Sequence, residues 1–332
     1  MISAGIDVSA KALEVVINRN GASSSKPMTF NNDAKGHQAL LKALKKRKVK
    51  RVCVEATGVY HLDLCVRLHD AAGIELMVLN PKAAKQYADV MMNRSKTDGV
   101  DAALLAGYVQ HMPFSPWKKP DDAFLQVRAC ARRIEALTKQ RTQAKNQLHA
   151  LQATDTTPSF ILEDVQLSIT QADQQIDALR RRTLQLIEAH ETMQKVMTLL
   201  LSVKGIAETS AIQLMGELLV LPEDMKAKQW VAMAGLDPRH HQSGSSINKK
   251  ARISKVGNRY LRQALYMPAL SAARHDKHIN GYYRHLIENR GLKKIQAICA
   301  VMRKLLHAIH AMLKQQQPFD NTRFFDLSGA TA

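Results

Sequence analysis

Cysteine is scarce in this chain of 332 residues, and what there is does not pair. Cys53, Cys65, Cys130 and Cys299 are scattered and form no C-x-x-C motif, which excludes a disulfide framework or a zinc site as the organising feature. A reducing cytoplasm is the expected setting. No apolar run approaches the roughly 20 residues a membrane helix needs. The N-terminus has neither a basic leader nor a long apolar stretch, and it places Asp7 early, so it does not read as a signal peptide. The G-x-x-x-x-G-K-[ST] pattern of a P-loop is also missing. Acidic residues are few: 29 Asp and Glu stand against 48 Lys and Arg, a net charge of +19.

That excess points to a polyanionic partner. It is unevenly spread: residues 201–332 carry 20 basic and 9 acidic side chains, whereas residues 116–200 carry 12 and 10. The C-terminal part is therefore the best candidate for gripping phosphates. Hydrophobic residues make up 45% of the chain, enough for two or three folded domains.

Residues 2–8, 13–18 and 27–30 read as strands, with Asn20-Gly21 as a hairpin turn between the first two. A helix is expected over 34–46, a buried strand from Val49 to Val54, a helix over 59–72 and a strand over 74–79. Helices near 82–92 and 98–110 follow. This order predicts an α/β domain with a mixed sheet. From 121 to 151, and again after Pro158 to Leu200, apolar residues recur at helical spacing. Ile169, Ala172, Ile176, Leu179, Leu186, Met193, Met197 and Leu200 follow heptad steps, with Thr183 and His190 as gaps. Two long helices should form an antiparallel stalk, a dimerising coiled coil, or both. The VKGIAETSA segment resembles a helix-hairpin-helix turn that offers backbone N–H groups to phosphate, or an ordinary tight turn. Residues 229–237 form a short apolar segment, 238–259 an exposed polar loop, and 259–273 and 292–315 helices. The tail after Pro318 is expected to be poorly ordered.

Against this background four carboxylates stand out. Asp7 lies on the first strand, flanked by the small residues Gly5 and Ser9. Glu55 ends the strand RVCVE, and Asp98 and Asp101 are three apart at a helix start, so they share a face. Singly, each has an ordinary explanation: a helix cap, a turn acceptor, a partner for arginine. Jointly, carboxylates drawn out of water need a shared counter-charge. Two Mg²⁺ (or Mn²⁺) ions about 4 Å apart, acting on phosphodiesters, would supply it.

A second candidate site is the segment 234–265. Ser243, Ser245 and Ser246 sit among glycines, surrounded by Arg239, Lys249, Lys250, Arg252, Lys255, Arg259 and Arg262. Cations beside a serine stabilise its alkoxide and the developing charge of a phosphorane, and His240 or His241 could carry the proton. On composition alone, a flexible DNA-contact loop explains the same residues.

Both sites together resemble one family. GIDVS, VEATGVY, NPxxxxxY (Asn80-Pro81 to Tyr87), SKTDGVDA, VKGIAETSA and AGLDPRHHQSGSS match the pattern of DEDD transposases of bridge-RNA-guided insertion sequences, over nearly the whole chain. The group includes relatives that invert pilin gene segments. The resemblance implies α/β plus all-α architecture. A RuvC-like, ribonuclease H-fold domain would span 1–115 and coiled-coil oligomerisation helices 116–200. A transposase domain with a catalytic serine would span 201–318, and a tail 319–332. It implies that Asp7, Glu55, Asp98 and Asp101 bind Mg²⁺. It also implies that Ser243, directly before Gly244, attacks DNA to form a covalent phosphoserine, with Ser245 and Ser246 as alternatives. Further implications are dimers that pair into tetramers on donor and target double-stranded DNA, a non-coding guide RNA, and a bacterial, nucleoid-associated location. RNA guidance would explain a chain rich in phosphate-binding charge that lacks a base-reading module such as a zinc finger. The two candidate sites are expected to meet in one composite active site, within one chain or across subunits. The competing expectations are a two-metal nuclease or Holliday-junction resolvase using water, and an inactive architectural DNA- or RNA-binding protein.

Overall fold

The computed structural model describes residues 1–19, 25–56, 58–92, 97–243 and 247–327; for 240–243 and 247–251 it describes the backbone alone. The Asn20-Gly21 turn lies outside the described residues. The chain divides into two compact units, Met1–Lys119 and Pro120–Ala332.

The first unit is built on a five-stranded mixed sheet of order β3-β2-β1-β4-β5. β1 (Ile2–Val8), β2 (Ala12–Arg19) and β3 (Met28–Asn31) form an antiparallel meander. β4 (Arg51–Glu55) and β5 (Glu75–Leu79) run parallel to β1. Strand alternation sends side chains to opposite faces. Ala4, Ile6 and Val8 of β1 and Val52 and Val54 of β4 enter one core with Leu40, Leu44, Leu64 and Leu68. Those leucines come from α1 (Ala34–Lys46) and α2 (Leu62–His69), so both helices cover that face. Cys53 of β4 and Met77 and Leu79 of β5 pack on the other side with Leu105 and Val109. This second layer is α4 (Asp98–His111), joined by α3 (Pro81–Val90).

α4 crosses β1 at very close range. A Cβ at Gly5 would fall 2.0 Å from the Ala102 carbonyl oxygen and 2.3 Å from the Ala106 nitrogen. Ser3 Oγ donates to the Ala106 carbonyl (3.1 Å) and accepts from Gln110 Nε2 (3.0 Å). Ser3 and Gly5 thus face α4, and by alternation so does Asp7. The Asn-Pro-x₅-Tyr motif builds α3: Asn80 caps it, Pro81 opens it, and Tyr87 donates to or accepts from His111 Nδ1 at 2.8 Å.

The second unit is helical around one large core, apart from a hairpin. α5 (Asp122–Leu151) and α6 (Ser159–Glu188) run antiparallel. Arg141 meets Asp173 at 2.6 Å midway, and Asp121 meets His190 at 3.6 Å at the far end. α6 buries Ile169, Ala172 and Ile176, as the heptad steps require. The long second helix expected to reach Leu200 is instead two. It breaks at Ala189–His190, and α7 (Glu191–Leu201) sends Met193, Met197 and Leu200 into the main core. The heptad phase continues across the break because both helices bury a stripe, though against different partners.

α8 (Glu208–Leu218), α9 (Ala227–Met233), α10 (Arg259–His275), α11 (Lys277–Glu288) and α12 (Lys294–Gln315) complete the core. α11 was not anticipated, although Ile279, Tyr282, Tyr283 and Leu286 fall at i, i+3, i+4 and i+7, the period of a helix with one apolar face. The segment after Pro318, expected to be loose, packs through Phe324, which is 3% exposed. Its ring meets those of Tyr282 and Phe319 at 5.8 and 6.2 Å.

Candidate active-site elements

The acidic residues lie toward one end of the sheet. The last hydrogen-bonded rung between β1 and β4 pairs Ile6 with Val54, so Asp7 and Glu55 follow one step beyond it, side by side. Both belong to the alternation that faces α4. On α4, Asp98 and Asp101 precede Ala102, Leu105, Ala106 and Val109, the buried face that lies on the sheet. They therefore stand at the helix N-terminus, above the ends of β1 and β4. Thr97 caps the helix, its Oγ1 accepting from the Val100 N–H at 3.3 Å. Capping is thus done by Thr97, and Asp98 is free of that task. The loops behind the site are tied together by Asn32, whose Nδ2 donates to the carbonyls of Ser9 (2.8 Å) and Tyr60 (3.1 Å).

Electrostatics carries the mark of this arrangement. The Asp7 carboxyl is raised from 3.8 to about 6, first by burial, then by the charges of Asp98 and Asp101, and lastly by Glu55. Neither Lys nor Arg pairs with Asp7, Asp98 or Asp101 among the described residues. A half-buried acid in a field of like charge is the surrounding a divalent cation relieves, and an all-oxygen donor set suits Mg²⁺ or Mn²⁺. The four share a field without being drawn to a common point: no three His, Cys, Asp or Glu among the described residues form a group that could hold a metal ion. A fifth acid, Glu14, not expected from the sequence, lies across from Asp7 on β2 and accepts from Thr29 Oγ1 at 2.6 Å. Its place between the buried Leu13 and Val15 of an otherwise apolar strand could have signalled it.

The serine segment, expected as an exposed loop, is a two-stranded hairpin. β6 (Pro238–Ser243) pairs antiparallel with β7 (Ile247–Ile253), with an irregularity between Arg239 and His241. Residues 238–253 show no apolar alternation that would mark them as strands. Ser243 ends β6 opposite Ile247. Ser245 and Ser246 lie outside the described residues, and the side chains of Ser243, His240, His241, Lys249 and Lys250 are not described. Arg239, Arg252, Lys255 and Arg259 are exposed. Arg262 is half-buried and donates from Nη1 to the Ala234 carbonyl at 2.8 Å.

The hairpin rises from a fixed base. Ser254 Oγ donates to Asp237 Oδ1 (2.5 Å), and the Lys255 N–H donates to the Gly235 carbonyl (3.0 Å). Asn258 caps α10, its Oδ1 accepting from the Tyr260 and Leu261 N–H groups. In the VKGIAETSA turn, Gly205 has φ +111° and would place a Cβ 2.7 Å from the Ala272 nitrogen of α10. The Ile206 N–H is used inside the turn, on the Val203 carbonyl at 3.0 Å. Lys204 remains exposed.

Residues 4–154 match the model DEDD_Tnp_IS110, described as a transposase, and residues 197–284 match that of the transposase IS116/IS110/IS902 family. A pilin gene-inverting protein of Moraxella bovis is 30% identical over 302 residues, covering 88% of this chain and 90% of the relative. The chain belongs to the IS116/IS110/IS902 family of transposases. A Moraxella lacunata pilin gene-inverting protein is 31% identical, covering 80% of this chain and 81% of its own. The transposase of insertion sequence IS1111A from Coxiella burnetii (strain RSA 493 / Nine Mile phase I) is 25% identical over 82% of this chain and 80% of its own. Among solved structures, T. thermophilus RuvC in complex with a Holliday junction substrate is similar at 14% identity and a TM-score of 0.28, covering 35% of this chain and 99% of that one. The transposase is thus a DNA recombination enzyme. No helix among its described residues is long and apolar enough to cross a membrane.

Proposed function

We propose that this transposase cuts and rejoins DNA strands through a covalent phosphoserine link, with Asp7, Glu55, Asp98 and Asp101 holding Mg²⁺ or Mn²⁺ and Ser243 as the nucleophile. The observation that carries the metal assignment is the raised acid of Asp7, produced by burial and by the adjacent Asp98 and Asp101. When bound, the cation would neutralise phosphate charge and ease ionisation of a hydroxyl. The protein's own part is positioning. Asp7 and Glu55 are fixed by adjacent strands, and Asp98 and Asp101 by the first turn of α4.

In the forward step the Ser243 Oγ–P bond forms as one P–O ester bond of the DNA breaks. The serine proton passes to a basic group, and the departing strand end takes up a proton as a hydroxyl. Attack by a hydroxyl of another strand reverses the exchange and frees the serine, so no nucleotide hydrolysis is required. Arg239, Lys249, Lys250, Arg252, Lys255, Arg259 and Arg262 contact nucleic-acid phosphates in this reading, supported by the net charge of the C-terminal part and the exposure of Arg239, Arg252, Lys255 and Arg259. A non-coding guide RNA that pairs with donor and target DNA supplies sequence choice, and dimers pairing into tetramers bring two duplexes together.

Trapping tests the chemistry. Protein, element RNA and labelled DNA are mixed with Mg²⁺ and then denatured. A protein–DNA adduct lost in Ser243→Ala and kept in Ser245→Ala supports the proposal. Cleavage with no adduct means that water attacks, as in a two-metal nuclease. Absence of cleavage, with binding unchanged by Asp98→Ala, marks an architectural protein.

A further inference from the structure

We propose that Glu217 is a positioning residue: through Asn258 it locks the base of the serine hairpin to α5. The functional part of this inference rests on reading the hairpin as the carrier of the nucleophile. Glu217 lies on α8 and is 2% exposed. Its two oxygens are gripped by Arg132 of α5, from Nε at 2.7 Å and Nη2 at 2.9 Å. Oε2 also accepts from Asn258 Nδ2 at 2.6 Å. One buried carboxylate thus joins three parts of the fold, and the third is the residue that connects β7 to α10.

The hairpin depends on this connection. Two strands alone are marginally stable, and among the described hydrophobics only Ile253 of this ribbon packs against the core. Its orientation is therefore set at its base. On the entering side, Asp237 and Gly235 are bonded to Ser254 and Lys255, the residues just past the exit of β7. On the leaving side, the Asn258 N–H donates to the Met233 carbonyl at 2.6 Å. Gly257 has φ +104°, and a Cβ there would fall 2.2 Å from the same oxygen. There is no slack between the hairpin and Asn258. The Asn258 side chain divides its work: Oδ1 caps α10 and Nδ2 reaches Glu217. Arg132 in turn lies 4.4 Å over the Tyr260 ring, two residues further on.

Stability alone does not require such an arrangement. A buried ion pair is often replaceable by apolar side chains of similar size without loss. What apolar residues cannot supply is a directional acceptor for the Asn258 amide. A charge-assisted bond is stronger and geometrically tighter than a neutral one, so the carboxylate fixes the exit of the hairpin.

The test uses the full chain and two readouts: amide hydrogen exchange over residues 238–253, and strand cleavage at saturating and limiting DNA. Glu217→Gln is expected to speed exchange roughly tenfold and to slow cleavage at saturation by about as much or more, with half-saturation unchanged. Asn258→Ser, which keeps the cap but has no amide to reach Glu217, should do the same without touching Glu217 or Arg132. The double variant Glu217→Gln/Asn258→Asp exchanges amide and carboxylate and should restore both readouts. Arg132→Met/Glu217→Met should keep the melting temperature near that of the parent while the hairpin still exchanges fast. Faster exchange with unchanged cleavage supports the clamp and counts against a reactive serine on the hairpin. Parental exchange over 238–253 in both Glu217→Gln and Asn258→Ser overturns the clamp, as does failure of the exchanged pair to slow exchange while its melting temperature is parental.

Discussion

Gly5 and Ala102 meet backbone against backbone: a single added Cβ on Gly5 would sit 2.0 Å from the Ala102 carbonyl oxygen. This approach seats α4 on β1 and so brings Asp98 and Asp101 to Asp7. Gly5→Ala must push the helix away. It should cost about 1–3 kcal/mol of stability, as overpacking of a tight contact does. Cleavage should fall further than the stability loss explains, because the acidic residues separate. Urea unfolding and cleavage assays on the same variant measure the two effects.

Asp7 makes stability depend on pH in a definite sense. Its carboxyl is raised from 3.8 to about 6, so the folded form binds the proton more tightly than the unfolded form. That stabilisation is complete below 3.8 and lost as pH rises through 6. Above it, the ionised Asp7 is a cost. A shift of this size corresponds to about 3 kcal/mol if fully expressed, reduced to on the order of 1 kcal/mol for a half-exposed group. Without divalent ions, Asp7→Asn should therefore be more stable than the parent at about pH 8, with the gain vanishing toward about pH 4. Added Mg²⁺ should raise the melting temperature of the parent and not of the variant. An equal Mg²⁺ response in both would remove Asp7 from the metal set.

The thiols should separate into two classes. Cys53 and Cys65 are fully buried, and burial pushes both up to about 12, with a further small rise from Glu55 at Cys53 and from Cys53 at Cys65. Cys130 and Cys299 are partly exposed. An alkylating reagent followed by mass spectrometry should label Cys130 and Cys299 in the native protein. Cys53 and Cys65 should react only in denaturant.

Phe324 tests the packing of the C-terminal segment. Its ring is buried against Tyr282 and Phe319, and Lys304 Nζ lies 5.1 Å above it. Phe324→Ala should cost about 3–5 kcal/mol, read by thermal or chemical unfolding. A loss under about 0.5 kcal/mol would mean that the segment contributes no core.

The parts of this architecture legible from sequence are those written in local periods. Asp7 and Glu55 stood out because they interrupt strands that are otherwise apolar, and Asp98 and Asp101 because their spacing shares a helical face. The hairpin was not legible, because residues 238–253 hold no alternation of apolar and polar side chains to read. The break at His190 was hidden by a stripe that keeps its phase while changing partners. The Glu217 clamp joins positions 85 and 41 residues apart, beyond any local pattern. Its one local trace is a single acid inside the apolar run LMGELL.

The β6–β7 ribbon is a two-stranded sheet of its own. Each of its strands is an edge, so each leaves a row of backbone donors and acceptors without a neighbouring strand. Such edges invite strand addition and aggregation. Here the same two strands carry Arg239, Lys249, Lys250 and Arg252, and two such ribbons would repel one another. The cations proposed to hold phosphate would thus also act as gatekeepers, keeping the ribbon from pairing with its own kind until a polyanion screens them.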